Sequence, residues 1–301
     1  MTDPRRTIPE GATASYWAAT DGWPLRRFDW PAQDGRGTML VQGGRADIFE
    51  KYLESFGHWH GQGWSIVSFD WRGHGGSGRP PLDVARGEFT TAVQDLAAVW
   101  RDLPNDKPRV LLGHSMGGFL ALRAAIEGAV DPNSLILVAP MLGLRSPLGR
   151  FGAAAARFMR NRGDPSRLAW KTNERPNSRI GRQPLLTANI SRYEDEAWWH
   201  AQSPDHAPKP PSWAWLAEAF EATTALANDP RLGSLKPSVL MLVADNDGLV
   251  DARAAVKVAG RLRDATLLRF GPESAHEILR EADPVRNRAL ATIDDFITRA
   301  A

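Results

Sequence analysis

Short, uninterrupted apolar runs recur along the chain, each followed by a stretch whose apolar residues fall three or four apart. The runs are 37–44 (GTMLVQGG), 64–71 (WSIVSFDW), 108–113 (PRVLLG), 133–140 (NSLILVAP), 237–244 (PSVLMLVA) and 265–270 (ATLLRF). They are too short for helices and are bounded by Gly, Pro and Asn, so they read as buried strands. Residues 47–59 carry Phe49, Tyr52, Leu53, Phe56 and Trp59 at helical spacing, and 89–103 carry Val93, Leu96, Val99, Trp100 and Leu103. Helices are also predicted over 116–128, closed by Gly128, and over 213–226, 251–263 and 283–300. Alternating strands and helices predict an α/β fold: a mostly parallel twisted sheet with helices on both faces.

The rhythm breaks between Met141 and Pro211, where no clear strand appears and Arg, Trp and Pro become dense. A long segment of different texture between two strands of one sheet reads as an inserted helical lid. The expected organisation is a core over 1–140, a lid over 141–211, and the second part of the core over 212–301. From Met141 to Arg192 there are eleven Arg or Lys against Asp164 and Glu174, so the segment carries 11 − 2 = +9. The whole chain carries only +2, which leaves 2 − 9 = −7 elsewhere. Within 146–162, Leu148, Phe151, Ala155, Phe158 and Met159 are expected along one helical face, with arginines on the others. Such a face can shelter an acyl chain, and a basic amphipathic helix also suits an anionic membrane surface. Trp198, Trp199, Trp213 and Trp215 are candidates for the same cavity or for the core.

The 301 residues contain no Cys, which excludes disulfides, thiol catalysis and Cys-ligated zinc. The near-neutral total gives no reason to expect a nucleic-acid partner. The first residues lack the apolar stretch of a signal peptide, and no run approaches the roughly 20 apolar residues of a membrane span. The expected location is the cytoplasm, with peripheral membrane contact through the basic lid as the added possibility.

Between the strand at 108–113 and the helix at 116–128 lies Gly113-His114-Ser115-Met116-Gly117, a G-x-S-x-G turn in strand–turn–helix context. Glycines two residues either side permit a turn too sharp for side chains, and the turn lifts a hydroxyl above the carboxyl ends of the strands. Ser115 is therefore the candidate nucleophile. Met116 opens the helix, so its N–H is a candidate oxyanion donor. A hydroxyl needs a base, and the base an orienting acid, in the chain order Ser, acid, His. His200 and His206 fall in the lid, out of order, whereas His276 follows the last strand. Asp245, Asp247 and Asp251 all follow the strand at 237–244. Asp251 suits a helix cap, and Asp247, between Asn246 and Gly248, is preferred over Asp245 on little physical ground. The second oxyanion donor is expected in the loop 42–47, at the N–H of Arg45 after Gly43 and Gly44.

These residues resemble the α/β-hydrolase superfamily, and within it the lysophospholipase and monoacylglycerol lipase group of serine aminopeptidase S33-like hydrolases. The resemblance is carried, in family order, by GGRADIFEKY (43–52), FDWRGHGGSGR (69–79), GHSMGG (113–118), LVADNDGLVD (242–251) and AHEILRE (275–281). It implies a triad of Ser115, Asp247 and His276, oxyanion N–H groups from Arg45 and Met116, and no cofactor or metal. Three departures stand out: Gly43-Gly44 where His-Gly is common, Asp47 where Glu is usual, and Asp245 where Gly is common. The implied activity is hydrolysis of a carboxylic ester of a lipid-like substrate, a lysophospholipid or monoacylglycerol, through an acyl-enzyme. A small-ester carboxylesterase, a peptidase, a cofactor-free haloperoxidase or an acyltransferase would keep the same triad. A hydrolase fold reused as a ligand-binding protein is the rival from another class.

Overall fold

The computed structural model describes residues 3–78, 88–146, 148, 151–162, 164–170 and 181–300. Arg79 of the second family stretch, and Arg150, Lys171, Glu174, Arg175 and Arg179 of the basic segment, lie outside the described residues.

Eight strands form one sheet: β1 (Thr13–Ala18), β2 (Pro24–Trp30), β3 (Gly37–Gln42), β4 (Trp64–Phe69), β5 (Arg109–His114), β6 (Ser134–Val138), β7 (Ser238–Ala244) and β8 (Ala265–Phe270). Their order across the sheet is β1-β2-β4-β3-β5-β6-β7-β8. Every pair from β4 to β8 is parallel, whereas β1–β2 and β2–β4 are antiparallel. The helices are α1 (Leu53–His60), α2 (Glu88–Asp102), α3 (Met116–Ile126), α4 (Gly152–Asn161), α5 (Gln183–Leu186), α6 (Ile190–Gln202), α7 (Trp213–Asn228), α8 (Ala252–Ala259) and α9 (Asp283–Ala300).

The central strands bury both faces, which is why they read as continuous apolar runs. Along β3, Leu40 points into the layer that holds α2, α3 and α8, with Leu96, Phe119 and Val258. Its neighbours Met39 and Val41 point into the layer of α1 and α9, with Phe56, Trp59 and Ile293. The predicted strands and core helices lie close to their observed limits, and 265–270 and 283–300 coincide with β8 and α9. The antiparallel β1–β2 pair is an addition to the expected elements.

Helices α4 to α7 lie in the chain between β6 and β7. Helix α6 is fastened to the core by Arg192. Its guanidinium donates to both oxygens of Glu54 at 2.7 Å, to Asp283 at 2.8 Å and to the Glu281 carbonyl at 2.6 Å. The same helix also takes the N-terminal arm. Arg6 donates to Asp195 at 2.7 Å, Trp199 Nε1 donates to the Arg5 carbonyl at 2.9 Å, and the Arg6 guanidinium lies over Trp198. Arg192→Met should lower stability by about 2 kcal/mol, because it leaves Glu54 without its paired donors. Urea denaturation should show a lower midpoint with an unchanged slope.

Candidate active site

Strand β5 enters the turn at Gly113 and α3 leaves it at Met116. Between them Ser115 has φ 53°, ψ −117°, a conformation rare for a residue with a side chain. The surroundings enforce it. A Cβ at Gly113 would lie 2.4 Å from the Gly117 carbonyl oxygen, and one at Gly117 would lie 2.5 Å from that of Gly43. Ser115 N–H donates to the Val138 carbonyl at 3.0 Å, and the Ser115 carbonyl accepts from Met141 N–H at 2.9 Å, so the turn is tied to the end of β6. Met116 is the first residue of α3, where N–H groups have no intrahelical acceptor.

The loop after β3 closes in from the other side. A Cβ at Gly44 would lie 3.0 Å from Ser115 Cβ, so only glycine lets this backbone come so near. Asp47 Oδ2 accepts from Gly44 N–H at 2.7 Å and from Tyr52 Oη–H at 2.6 Å. With its proton given to Asp47, the Tyr52 oxygen accepts from His114 Nδ1 at 2.8 Å. His114 Nε2 lies 3.3 Å from the His276 carbonyl oxygen. The loop, the residue before Ser115 and the His276 segment are thus joined by one chain of polar contacts.

His276 and Asp247 are both buried, with 2.5 Å between His276 Nδ1 and Asp247 Oδ2. Asp247 Oδ1 accepts from the N–H groups of Leu249 and Val250 at 2.7 and 3.0 Å. Burial alone would raise the Asp247 pKa, but the His276 charge and these hydrogen bonds hold it below the ordinary carboxylate value. Burial pulls the imidazole down, but Asp247 outweighs it and lifts His276 above its ordinary value. Nδ1–H bonded to the carboxylate leaves Nε2 as the basic nitrogen. The two competing acids are occupied elsewhere: Asp245 pairs with Arg269 at 2.9 Å, and Asp251 caps α8 by accepting from Arg253 N–H.

Ser115, His276, Gly44 and Arg45 all line one cavity of about 480 Å³. Most of its other walls are apolar: Met141, Leu144 and Val250 from the core side, Leu148, Ala155 and Ala156 from the α4 side, and Trp213, Trp215 and Phe220 from α7. Ser115 and His276 share this cavity without a direct hydrogen bond between their side chains. Such contacts commonly tighten only when substrate is bound.

The sequence profile of the family described as serine aminopeptidase, S33, matches residues 33–283. The chain belongs to this family of α/β-hydrolases. Lysophospholipase L2 of Escherichia coli K12 is 26% identical, the match covering 94% of this chain and 86% of the relative. A monoacylglycerol lipase of Mycolicibacterium smegmatis is 24% identical over 43% of this chain and 46% of its own length. Among solved structures, a soluble variant of monoglyceride lipase from Saccharomyces cerevisiae, in complex with a substrate analogue, superposes with a TM-score of 0.76. That likeness covers 99% of this chain and 98% of the other, at 17% identity, and concerns the fold.

Several residues expected at the α/β-hydrolase cavity sit elsewhere. Phe151 and Phe158 are 61% and 57% exposed and do not line it, and neither does Met159. The face of α4 turned inward is instead Gly152, Ala155 and Ala156. Space decides this: a Cβ at Gly152 would already lie 2.3 Å from Ser146 Oγ and 3.2 Å from Phe220, so this side of the helix has no room for a phenyl ring. Trp198 and Trp199 hold the N-terminal arm and are likewise absent from the cavity lining, whereas Trp213 and Trp215 line it. The basic segment also differs from a uniformly solvated cationic face. Arg157 and Arg160 pair with Glu221, Arg182 with Glu196, and Arg192 with Glu54.

A buried ionic cluster beneath the cavity was not foreseen. Lys51, 1% exposed, lies 2.5 Å from Asp47, 2.8 Å from Glu277 and 3.1 Å from Glu196. Arg280 pairs with Glu277 at 2.5 Å and Arg182 with Glu196 at 3.0 Å. Three cations thus balance three carboxylates. Burial opposes ionisation of Glu277, but Lys51 and Arg280 bring it down to about 2. No local periodicity marks such a cluster, because its members come from loops and helices far apart in the chain.

If His276 acts as a base, only its neutral form works, so activity should rise with pH through the pKa of the folded imidazole. The acid limb of kcat/KM should lie above pH 6.5, the ordinary value for His, because Asp247 lifts it. Asp247→Asn should move that limb down and reduce kcat by roughly 10³–10⁴-fold. A pH–rate profile of both proteins checks this.

Proposed function

We propose that this protein is a carboxylic ester hydrolase acting on a lipid-like substrate, a lysophospholipid or a monoacylglycerol, through an acyl-enzyme. The observation that carries the reading is the Asp247–His276 pair opening onto the same apolar cavity as the strained Ser115. Ser115 Oγ bonds to the acyl carbon as His276 Nε2 takes its proton. The negative charge on the carbonyl oxygen meets the N–H groups of Arg45 and Met116. The acyl–oxygen bond breaks, and the imidazolium returns the proton to the leaving alkoxide. Water, deprotonated by His276, then attacks the ester of Ser115 and releases the acid. Asp247 holds the imidazole and stabilises its charged form. The names of the relatives and the apolar walls of the cavity support the lipid substrate.

In this reading residues 141–211 form the lid, the parts of the chain on either side form the hydrolase core, and α7 is the wall against which α4 closes. The test is labelling with a fluorophosphonate probe alongside a hydrolysis panel of lysophosphatidylcholine, monoacylglycerols of several lengths and short p-nitrophenyl esters. Ser115 should be labelled, Ser115→Ala should lose both label and turnover, and the long-chain esters should be preferred. An unlabelled wild-type protein with no turnover would sink the reading.

Peripheral contact with anionic membrane is a second part of the proposal. It is favoured by exposed Leu148, Phe151 and Phe158 beside Arg157 and Arg162. Co-sedimentation with anionic vesicles should be strong at low salt and fall at high salt. Equally weak binding to neutral and anionic vesicles would remove it.

A further inference from the structure

Among the described residues three arginines line the cavity together with Ser115 and His276: Arg45, Arg145 and Arg182. Of these only Arg182 has an ion pair among the described residues, with Glu196. Arg145 donates through Nη1 to the Asp247 carbonyl at 2.6 Å, so it is committed to bracing the loop that carries the acid. Arg45 forms no ion pair among the described residues. Its Nη2 donates to the Lys209 carbonyl at 2.5 Å, and its guanidinium carbon lies 5.1 Å from the centre of a Trp215 ring. The carboxylates that line the same cavity, Asp47 and Glu277, are held by Lys51 and Arg280.

Arg45 is half-buried, and partial burial of a cation without a counter-ion costs free energy unless a ligand supplies the partner. Burial lowers the Arg45 pKa to about 10, with Glu88 opposing and Arg182 adding to the fall. Glu88 answers it poorly, since burial and the neighbouring Glu218 push Glu88 itself up to about 7. A guanidinium has five N–H donors in a planar fork that matches a carboxylate or phosphate. The Lys209 carbonyl uses one side of that fork and Trp215 fixes its plane, which leaves donors for a ligand in the cavity.

We infer that Arg45 is a specificity residue whose guanidinium binds an anionic group, carboxylate or phosphate, carried by the ester substrate. This rests on the hydrolase reading. Arg45 and Ser115 line the same cavity, so a substrate whose ester lies at Ser115 can present its anion to the guanidinium. A phosphate on the alcohol part and a carboxylate at the far end of the acyl part present the same chemistry to the fork.

Two matched pairs separate these sources: 1-octanoylglycerol against its 3-phosphate, and p-nitrophenyl pentanoate against p-nitrophenyl hemiglutarate. The wild-type protein should favour the anionic member of at least one pair, and that pair identifies where the anion sits. Arg45→Gln should lower the anionic-to-neutral ratio of kcat/KM roughly tenfold or more, mainly through KM. Arg45→Lys should keep part of the preference, because it keeps the charge but not the fork. The ratio, not the absolute rate, is the readout. Calorimetric binding of the same compounds to Ser115→Ala protein measures the discrimination without turnover. If nothing is hydrolysed, the hydrolase reading fails, while the binding ratio still decides the role of Arg45. A wild-type preference for the neutral member of both pairs, in turnover and in binding, would overturn the inference. So would an Arg45→Gln protein that changes both members of the favoured pair by the same factor.

Discussion

Between β5 and α3, chain segments approach too closely for side chains. Gly113 packs on Gly117, Gly117 packs on Gly43, and Gly44 packs on Ser115. These contacts pin a serine at positive φ and set the ends of β3 and β5 against the start of α3. A methyl group at Gly113 would press on the backbone of α3, and one at Gly117 on the loop after β3. The tilt of α3, the approach of Arg45 and the position of the cavity all follow from this one close fit. Strain of this kind persists only where the surroundings over-determine it. Here they do, through the bonds from Ser115 to Val138 and Met141.

The sheet's parallel half was legible because its strands are buried on both faces and carry little besides apolar residues. The antiparallel edge was not. Strand β1 has five exposed positions out of six and therefore no hydrophobic period to detect. Strand β2 places Arg26 and Arg27 in its interior, where ion pairs with Glu50, Asp70, Asp29 and Asp102 make burial tolerable. Arginines in that setting read as a loop until their partners are known. The residues gathered at the cavity were readable from chain order, since each follows its own strand. For the acid, local sequence left three aspartates in play. In the structure the other two are engaged with Arg269 and with the start of α8.

Helical spacing in the insert was a weaker guide. It placed Leu148, Phe151, Ala155, Phe158 and Met159 on one face, whereas Leu148 and Ala155 line the cavity and the other three do not. The large side chains lie outward because α7 comes close to the small ones. The ionic cluster around Lys51 shows a different limit. Its cations and carboxylates come from positions as far apart as Asp47 and Arg280, and a charged residue in a one-dimensional pattern reads as surface. What makes their burial tolerable is mutual neutralisation. That arrangement also leaves the carboxylates at the floor of the cavity neutralised, so a cation without an ion pair, such as Arg45, stands out.

The arm at Arg5 and Arg6 links the edge of the sheet to the insert. These residues hold Asp195, Trp198 and Trp199 of α6, and Arg6 lies 189 residues from its partner Asp195. A displacement of α6 must therefore either break these contacts or carry the arm with it, together with β1, the exposed edge strand that follows.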